Sequence, residues 1–370
     1  MSVPFIDLKR FEDGFIDSWM EKVRDLSENT RFIGGPEIEA IESTLRDYCG
    51  VKHAIGCANG TDALQLALRG AGVERGDIVL VPDLTFWATF EAVVNVGADP
   101  VTVDVSAEDL QLDFDRFKEA CEKYKPKAAF IVHLYGWGSG RLEEFRKYAL
   151  EQNIVLIEDG AQAFGVQKDG QSIYANAQIS TISFYPAKVF GAAGDAGAVL
   201  TSDDEFASRI RSLENHGRTT HYSYGLVGWN SRMDSFQAAF LNLSFPHLEA
   251  RLKSRRAVAN QYREKLANLP IRVVNAPAGY LENGYLNVLI VDEARRPDLE
   301  KSMKEKGIGC GIVYPGPMSQ QDASPKFLKG KVGGENAERI CKSVLNLPLF
   351  PYMRSEEVDE VVDAVKAFYG

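Results

Sequence analysis

The chain has 370 residues, 45% hydrophobic and 25% charged, with 52 acidic against 42 Lys and Arg side chains and a formal net charge of −10. That composition supports a large buried core in a globular protein of about two or three domains. The acidic balance and the lack of a Lys/Arg block argue against nucleic acid as the main partner, and no apolar run approaches the roughly 20 residues that span a bilayer.

In chain order, MSVPFIDLKRFEDGF (1–15) lacks a basic leader followed by an apolar core, so the expected compartment is the cytoplasm. HAIGC (53–57) predicts a strand that leads through ANGT into a helix, DALQLALRGAG. DIVLVP (77–82) predicts a strand and TFWATFEAVVNVG the helix after it. PVTVDV (100–105), KAAFIVHLY (127–135), NIVLIED (153–159), ISTISFY (179–185) and AGAVLTS (196–202) complete a set of seven strands, with helical stretches such as LEEFRKYALEQ (142–152) between most of them. Strands apolar on both faces, alternating with helices, imply an α/β fold with a mostly parallel seven-stranded sheet flanked by helices. Only PAKVFGAAGD joins the last two strands, too short for a parallel crossover, so one of them is expected to run antiparallel.

After about Asn230 the pattern changes. A long helical stretch breaks at Pro246. YLNVLIVD (285–292) and GCGIVYP (309–315) then predict short strands, and DLEKSMKEKG and SEEVDEVVDAVKAFYG predict helices. This predicts a large domain over 1–240 and a smaller α+β domain over 241–370. GKVGGEN (330–336) reads as a mobile loop. The five cysteines (Cys49, Cys57, Cys121, Cys310 and Cys341) are scattered, which predicts reduced buried thiols, and no His/Cys cluster suggests a metal site.

In open α/β sheets, ligands sit beyond the carboxyl ends of the strands. Four strand ends carry candidate chemistry. At Asn59-Gly60-Thr61-Asp62 a small-residue turn opens a helix, whose first N–H groups favour an anion; taken alone, a plain helix start with Thr61 or Asp62 as cap or first-turn residue fits better. At Glu158-Asp159-Gly160-Ala161-Gln162 a carboxylate can hold a heterocyclic nitrogen protonated, and a solvated acidic turn or a Mg²⁺ ligand pair remains open. Ser183 can donate to a phosphate. Lys188 follows a buried strand in a Gly/Ala-rich loop, where desolvation disfavours its charged form and frees the amine for Schiff-base chemistry. In Thr85-Phe86-Trp87 a ring can stack on a flat heterocycle, although core packing suits Trp87 better. The glycines of GWGSG (136–140) suggest a dinucleotide loop, but their spacing departs from G-x-G-x-x-G, so an ordinary loop turn fits better. A phosphate cradle, a stacking ring, an acid and a lysine thus fall at successive strand ends, as a pyridoxal 5′-phosphate (PLP) enzyme needs.

Over nearly its whole length the chain resembles the DegT/DnrJ/EryC1/StrS sugar aminotransferases, fold-type I PLP enzymes. The matching stretches include RFIGGPEIEAIE (31–42), NGTDALQLAL (59–68), PDLTFWAT (82–89), EDGAQAFG (158–165), SFYPAKVFGAAGDAGAVLT (183–201) and GWNSRMDSFQAA (228–239). The resemblance implies that Lys188 carries the cofactor as a Schiff base and that Asp159 pairs with its ring nitrogen. Gln162 would contact its phenolic oxygen, Phe86 would stack on the ring, and Gly60, Thr61 and Ser183 would hold the phosphate. Asn230 would reach that phosphate from a neighbouring subunit, which implies a homodimer, and Tyr314 and Arg232 would contact substrate. The implied substrate is a keto sugar on a nucleotide, dTDP or UDP, with glutamate as donor. The stretch SFYPAK…GDAGAV looks more like members acting at the sugar C-3 than at C-4. Two departures stand out: Val189-Phe190 where Asn-Leu is common, and Met318-Ser319 where Leu-His is common.

On this reading Lys188, released by glutamate, moves a proton between the substrate Cα and the cofactor carbon. Asp159 keeps the ring nitrogen charged, so that the cofactor draws electrons. The rivals are a PLP-dependent keto-sugar dehydratase, whose known forms carry His at the Lys188 position, a nicotinamide-dependent sugar dehydrogenase using the glycine loop, and a catalytically silent binding protein.

Overall fold

The structure, a computed structural model, describes residues 3–370; Met1 and Ser2, the start of the stretch read for a leader, lie outside the described residues. Its centre is an eight-stranded sheet. The strands are β1 (His53–Cys57), β2 (Ile78–Pro82), β3 (Asp99–Val103), β4 (Ala128–Val132), β5 (Val155–Asp159), β6 (Ile179–Ser183) and β7 (Gly197–Thr201). A late segment adds one more. Before it come β8 (Arg272–Val273) and β9 (Asn287–Ile290); then come β10 (Gly330–Val332) and β11 (Val344–Leu347). The order across the large sheet is β1-β7-β6-β5-β4-β2-β3-β10.

The strands feed two cores, one on each face. In β4, all of whose residues are buried, Ala129 and Ile131 enter one cluster while Ala128 and Phe130 enter the other. That is the side-chain alternation of a doubly covered sheet. β7 runs antiparallel to both β6 and β1, as its short connection requires. The sequence pattern also places the helix break: a short 3₁₀ turn, Phe245–His247, holds Pro246 between helices Ser235–Ser244 and Leu248–Leu266. A third core gathers helices Leu248–Leu266 and Ser355–Tyr369 over the small sheet β8-β9-β11.

Two expectations are corrected. The large sheet has eight strands, not seven, because GKVGGEN does not stay a loop: Gly330–Val332 pairs in parallel with β3. Its glycine allows this, since a Cβ on Gly330 would stand 2.2 Å from the Tyr124 hydroxyl. GCGIVYP makes only a single bridge, Gly311 to Asn346. Its glycines admit the N-terminal segment instead: a Cβ on Gly309 would meet Phe5 N at 2.4 Å, and one on Gly311 would meet the Phe5 ring at 2.6 Å.

The unusual Val189-Phe190 pair belongs to the core. Phe190 is 1% exposed and stacks on Phe164, centroids 4.7 Å apart, with Phe184 and Phe245 edge-on to it. Replacing Phe190 with Ala should therefore lower stability by about 3–5 kcal/mol. Urea unfolding midpoints of the two proteins measure it.

Candidate active site

Parallel register lines up the strand ends. Val132 pairs with Asp159, and Asp159 with Thr181. One strand further, Ser183 pairs with Gly197, which also pairs with Cys57 at the end of β1. These ends open on a cavity of about 760 Å³. Gly60, Thr61, Phe86, Asp159, Gln162, Ser183, Lys188 and Tyr314 all line it.

Helix Gly60–Gly70 starts at the cavity floor. Its cap is Asn59, whose Oδ1 accepts from Asp62 N at 2.7 Å, rather than Thr61 or Asp62. The backbone is packed closely here. A Cβ on Gly60 would stand 2.6 Å from Ser183 Cβ, and one on Gly197 2.5 Å from the Asn59 carbonyl oxygen. Only glycine lets the helix start, β6 and β7 converge so tightly.

The two adjacent acids of β5 divide by strand alternation. Glu158 is fully buried on the side away from the cavity, where Arg146 pairs with it through Nε (2.8 Å) and Nη2 (2.9 Å) and His133 Nε2 lies at 2.8 Å. Burial pushes its carboxyl up, but His133 and Arg146 together hold it below its usual value. Asp159 faces the cavity, 5% exposed. Burial raises its pKa, opposed by the Ala161 N–H (3.0 Å), the Thr89 hydroxyl (3.1 Å) and the positive charge of Lys188. Thr89 is itself within 2.9 Å of the Thr85 hydroxyl. The acids therefore do not form a shared metal pair.

Gln162 is oriented by two bonds. Its Oε1 accepts from Tyr135 N (2.6 Å) and its Nε2 donates to the Tyr314 hydroxyl (3.0 Å). Phe86 is 56% exposed, with its centroid 5.9 Å from that of Tyr314. Trp87 instead stacks on Phe90 at 5.0 Å, in the packing role expected of it. Lys188, half-buried, touches a residue that the sequence reading passed over: Tyr285, whose hydroxyl is 3.5 Å from Nζ. Tyr285 lies two residues before β9, in a run read only as a strand. Thr89 and Tyr135 were missed for a similar reason, since each bonds across the fold rather than within a local motif.

Asn230 and Arg232 do not line the cavity. Asn230 is exposed and accepts from Arg232 Nη2 at 2.6 Å, and Arg232 pairs with Cys57 through the backbone. The segment before them, with a hairpin of Arg218–Thr220 and Ser223–Tyr224, leaves Tyr222 81% and Val227 93% exposed. Ser319 turns away as well: its N–H and hydroxyl both bond Asp83, at 2.7 and 2.9 Å, while Met318 enters the core. The glycine loop binds an anion of its own chain, the Asp109 carboxylate, which accepts from Gly140 N at 2.9 Å. A dinucleotide would find that place taken.

The family model of the DegT/DnrJ/EryC1/StrS aminotransferase family matches residues 16–366. The chain is 36% identical to a UDP-N-acetyl-3-dehydro-alpha-D-glucosamine 3-aminotransferase of Acidithiobacillus ferrooxidans, covering 99% of this chain and 97% of that one. It is 34% identical to a dTDP-3-amino-3,4,6-trideoxy-alpha-D-glucose transaminase of Streptomyces venezuelae, covering 98% of this chain and 95% of that one. The crystal structure of S. venezuelae DesV in complex with a ketimine intermediate superposes with a TM-score of 0.94, at 34% identity, over 100% of this chain and 98% of that one. This chain belongs to the DegT/DnrJ/EryC1/StrS aminotransferase family. It is an aminotransferase, and the cofactor of its family is PLP. No helix among the described residues is long and apolar enough to cross a membrane.

Because burial raises the Asp159 pKa, the ionised carboxylate works against the fold of the cofactor-free chain. This opposition is absent below the ordinary carboxylate range, grows as pH rises past it and is complete above the raised folded value. Asp159→Asn should thus melt higher than the parent, both freed of cofactor, at neutral and alkaline pH. The advantage should shrink as pH falls into the usual carboxylate range. Thermal melts across pH test it.

Proposed function

We propose that this enzyme transfers an amino group from glutamate to a 3-keto sugar carried on a nucleoside diphosphate, UDP or dTDP, with Lys188 as the amine that carries the cofactor and moves the proton. The observation that carries the reading is the meeting of Lys188, Asp159, Phe86 and the Gly60–Ser183 contact in one cavity. The choice of sugar is supported by the relatives, two of which are named for 3-amino or 3-dehydro nucleotide sugars.

The residues fit PLP. Gly60 packs so closely on Ser183 that a Cβ there would stand 2.9 Å from the Ser183 hydroxyl, which brings the helix start and that hydroxyl to one place. Thr181 Oγ1, on the cavity wall, is buried without a hydrogen-bond partner among the described residues. Phe86 presents an open ring face. On this assignment Gly60, Thr61 and Ser183 hold the phosphate, Gln162 meets the phenolic oxygen, and Asp159 faces the ring nitrogen. When bound, PLP supplies an aldehyde for the amine and an electron-withdrawing ring. Asp159 keeps the ring nitrogen protonated through its charge. Tyr314 contacts substrate, and the Lys188 amine carries the proton from the substrate Cα to the cofactor carbon, and the other way in the second half of the cycle. The division into a cofactor-binding part, 1–240, and a smaller part, 241–370, and a place in the cytoplasm belong to the same reading.

The active unit is a homodimer. Among the described residues, Lys188 is the one cation on the cavity wall, against Asp62, Glu91, Asp159 and Asp195. A cofactor phosphate and a nucleoside diphosphate bring several negative charges, so further donors must come from outside. Asn230 and Arg232, exposed or half-exposed beside the cavity, would supply a neighbour's site.

Two experiments test these points. Purified enzyme should be yellow and should transfer nitrogen from glutamate to 3-keto, in preference to 4-keto, nucleotide sugars; Lys188→Ala should lose turnover by several orders of magnitude and stay folded. Appreciable turnover in that variant rules out the lysine's role. For the shared site, Lys188→Ala and Asn230→Asp should each be impaired alone. Mixed after gentle dissociation, they should regain activity, because each hybrid holds one intact site. No gain on mixing argues for sites built within one chain.

A further inference from the structure

Tyr285 stands in the cavity wall with no role so far. Its hydroxyl lies 3.5 Å from Lys188 Nζ, at the outer limit of a hydrogen bond. The same Nζ lies over its ring, 5.2 Å from the centroid. Both contacts favour a charged amine, since a phenol oxygen accepts from an ammonium and a ring face attracts it. Among the described residues no other side chain hydrogen-bonds Nζ.

Tyr285 is held in place from behind. Its N–H donates to Asn283 Oδ1 at 2.9 Å. Asn283 is fully buried and donates through Nδ2 to the carbonyls of Gln162 (2.8 Å) and Phe164 (2.9 Å), so Tyr285 is tied to the turn that follows Asp159. Gly284, at φ 65°, accepts from Arg255 Nη1 at 3.2 Å; a Cβ there would stand 2.8 Å from Arg255 Cβ. Arg255 is 4% exposed. The other charged or titratable groups around the pair are Asp159, Tyr314 and Arg255, with Asp195 on the same cavity wall.

We propose that Tyr285 is a catalytic residue that parks the Lys188 amine: its hydroxyl and ring fix Nζ at one place on the wall whenever the amine is not covalently engaged. The proposal rests on Lys188 being the proton-moving amine. When a C–H bond of the substrate breaks, its electron pair stays with the substrate and its proton forms an N–H bond on Nζ. Tyr285 then steadies the resulting ammonium until the proton is delivered.

Tyr285→Phe removes the hydroxyl and keeps the ring, while Tyr285→Leu removes both and keeps apolar volume. The first readout is independent of turnover. In the full-length chain freed of cofactor, trinitrobenzenesulfonate should label Lys188, identified by peptide mapping at one pH, about threefold faster in the Phe variant and about tenfold faster in the Leu variant. In the loaded enzyme, kcat should fall about tenfold in Tyr285→Leu, with KM for glutamate within about twofold of the parent, because the contact removed is with Nζ. Labelling at the parent rate in both variants overturns the proposal, as does full kcat in Tyr285→Leu. Should the Leu variant fail to fold, the Phe variant decides alone. A parent enzyme that moves no amino group would sink the functional reading instead, while the labelling rates would still report on the contact.

Discussion

A carboxylate at the end of a central strand, with almost no water of its own, is the constraint from which most of this site follows. An isolated buried charge is costly, and proteins keep one only where hydrogen bonds and opposite charge surround it. Asp159 has the backbone N–H of Ala161, the hydroxyl of Thr89 and the charge of Lys188. These offset the burial in part, so the acid is left under-compensated. A protonated ring nitrogen would complete the set. The neighbouring Glu158 shows the contrast: its charge is met within the chain by Arg146 and His133, and it has nothing left to offer a ligand.

Sheet register turns that one acid into a site. Parallel strands end on one edge, so whatever follows Val132, Asp159 and Thr181 faces the same space. The antiparallel β7 matters as much. It brings Gly197 beside both Ser183 and Cys57, and so draws the start of helix Gly60–Gly70 against β6. The close packing at Gly60 and Gly197 is a consequence of pairing order, and glycine is what that order demands.

Much of this could be read from residues alone. Short apolar runs gave all seven early strands, because two-faced burial leaves an unbroken apolar signature. The strand ends then pointed to Lys188 and Asp159, since local chain direction fixes where such residues emerge, while Gln162 was named by the family resemblance. What stayed hidden was set by distant partners. Gly330–Val332 resembles a loop because its strand character comes from β3, over two hundred residues earlier. The run 309–315 resembles a strand, but its glycines serve a close approach of Phe5. Asn230 and Arg232 are named by the family motif alone; within one chain their side chains bond each other beside the cavity. Phe190 shows a departure from the family pattern absorbed by packing, where it joins Phe164, Phe184 and Phe245.

The late part of the chain is therefore more than a lid on the early part. Tyr285 and Tyr314 both come from it, and both end on groups that the strand ends supply: Tyr285 on Lys188, Tyr314 on Gln162. Asn283 closes the loop by donating to the carbonyls of Gln162 and Phe164. Asp83, fully buried just past β2, holds Ser319 and is paired with Lys331, the middle residue of β10, which extends the large sheet. Each of these bonds links a residue after 280 to one before 190. The orientation of the lysine, of the glutamine and of the ring at the mouth consequently depends on both ends of the chain being folded together. A site wired in this way is assembled only when the last strands are in place, which is why no local motif, however complete, contains it.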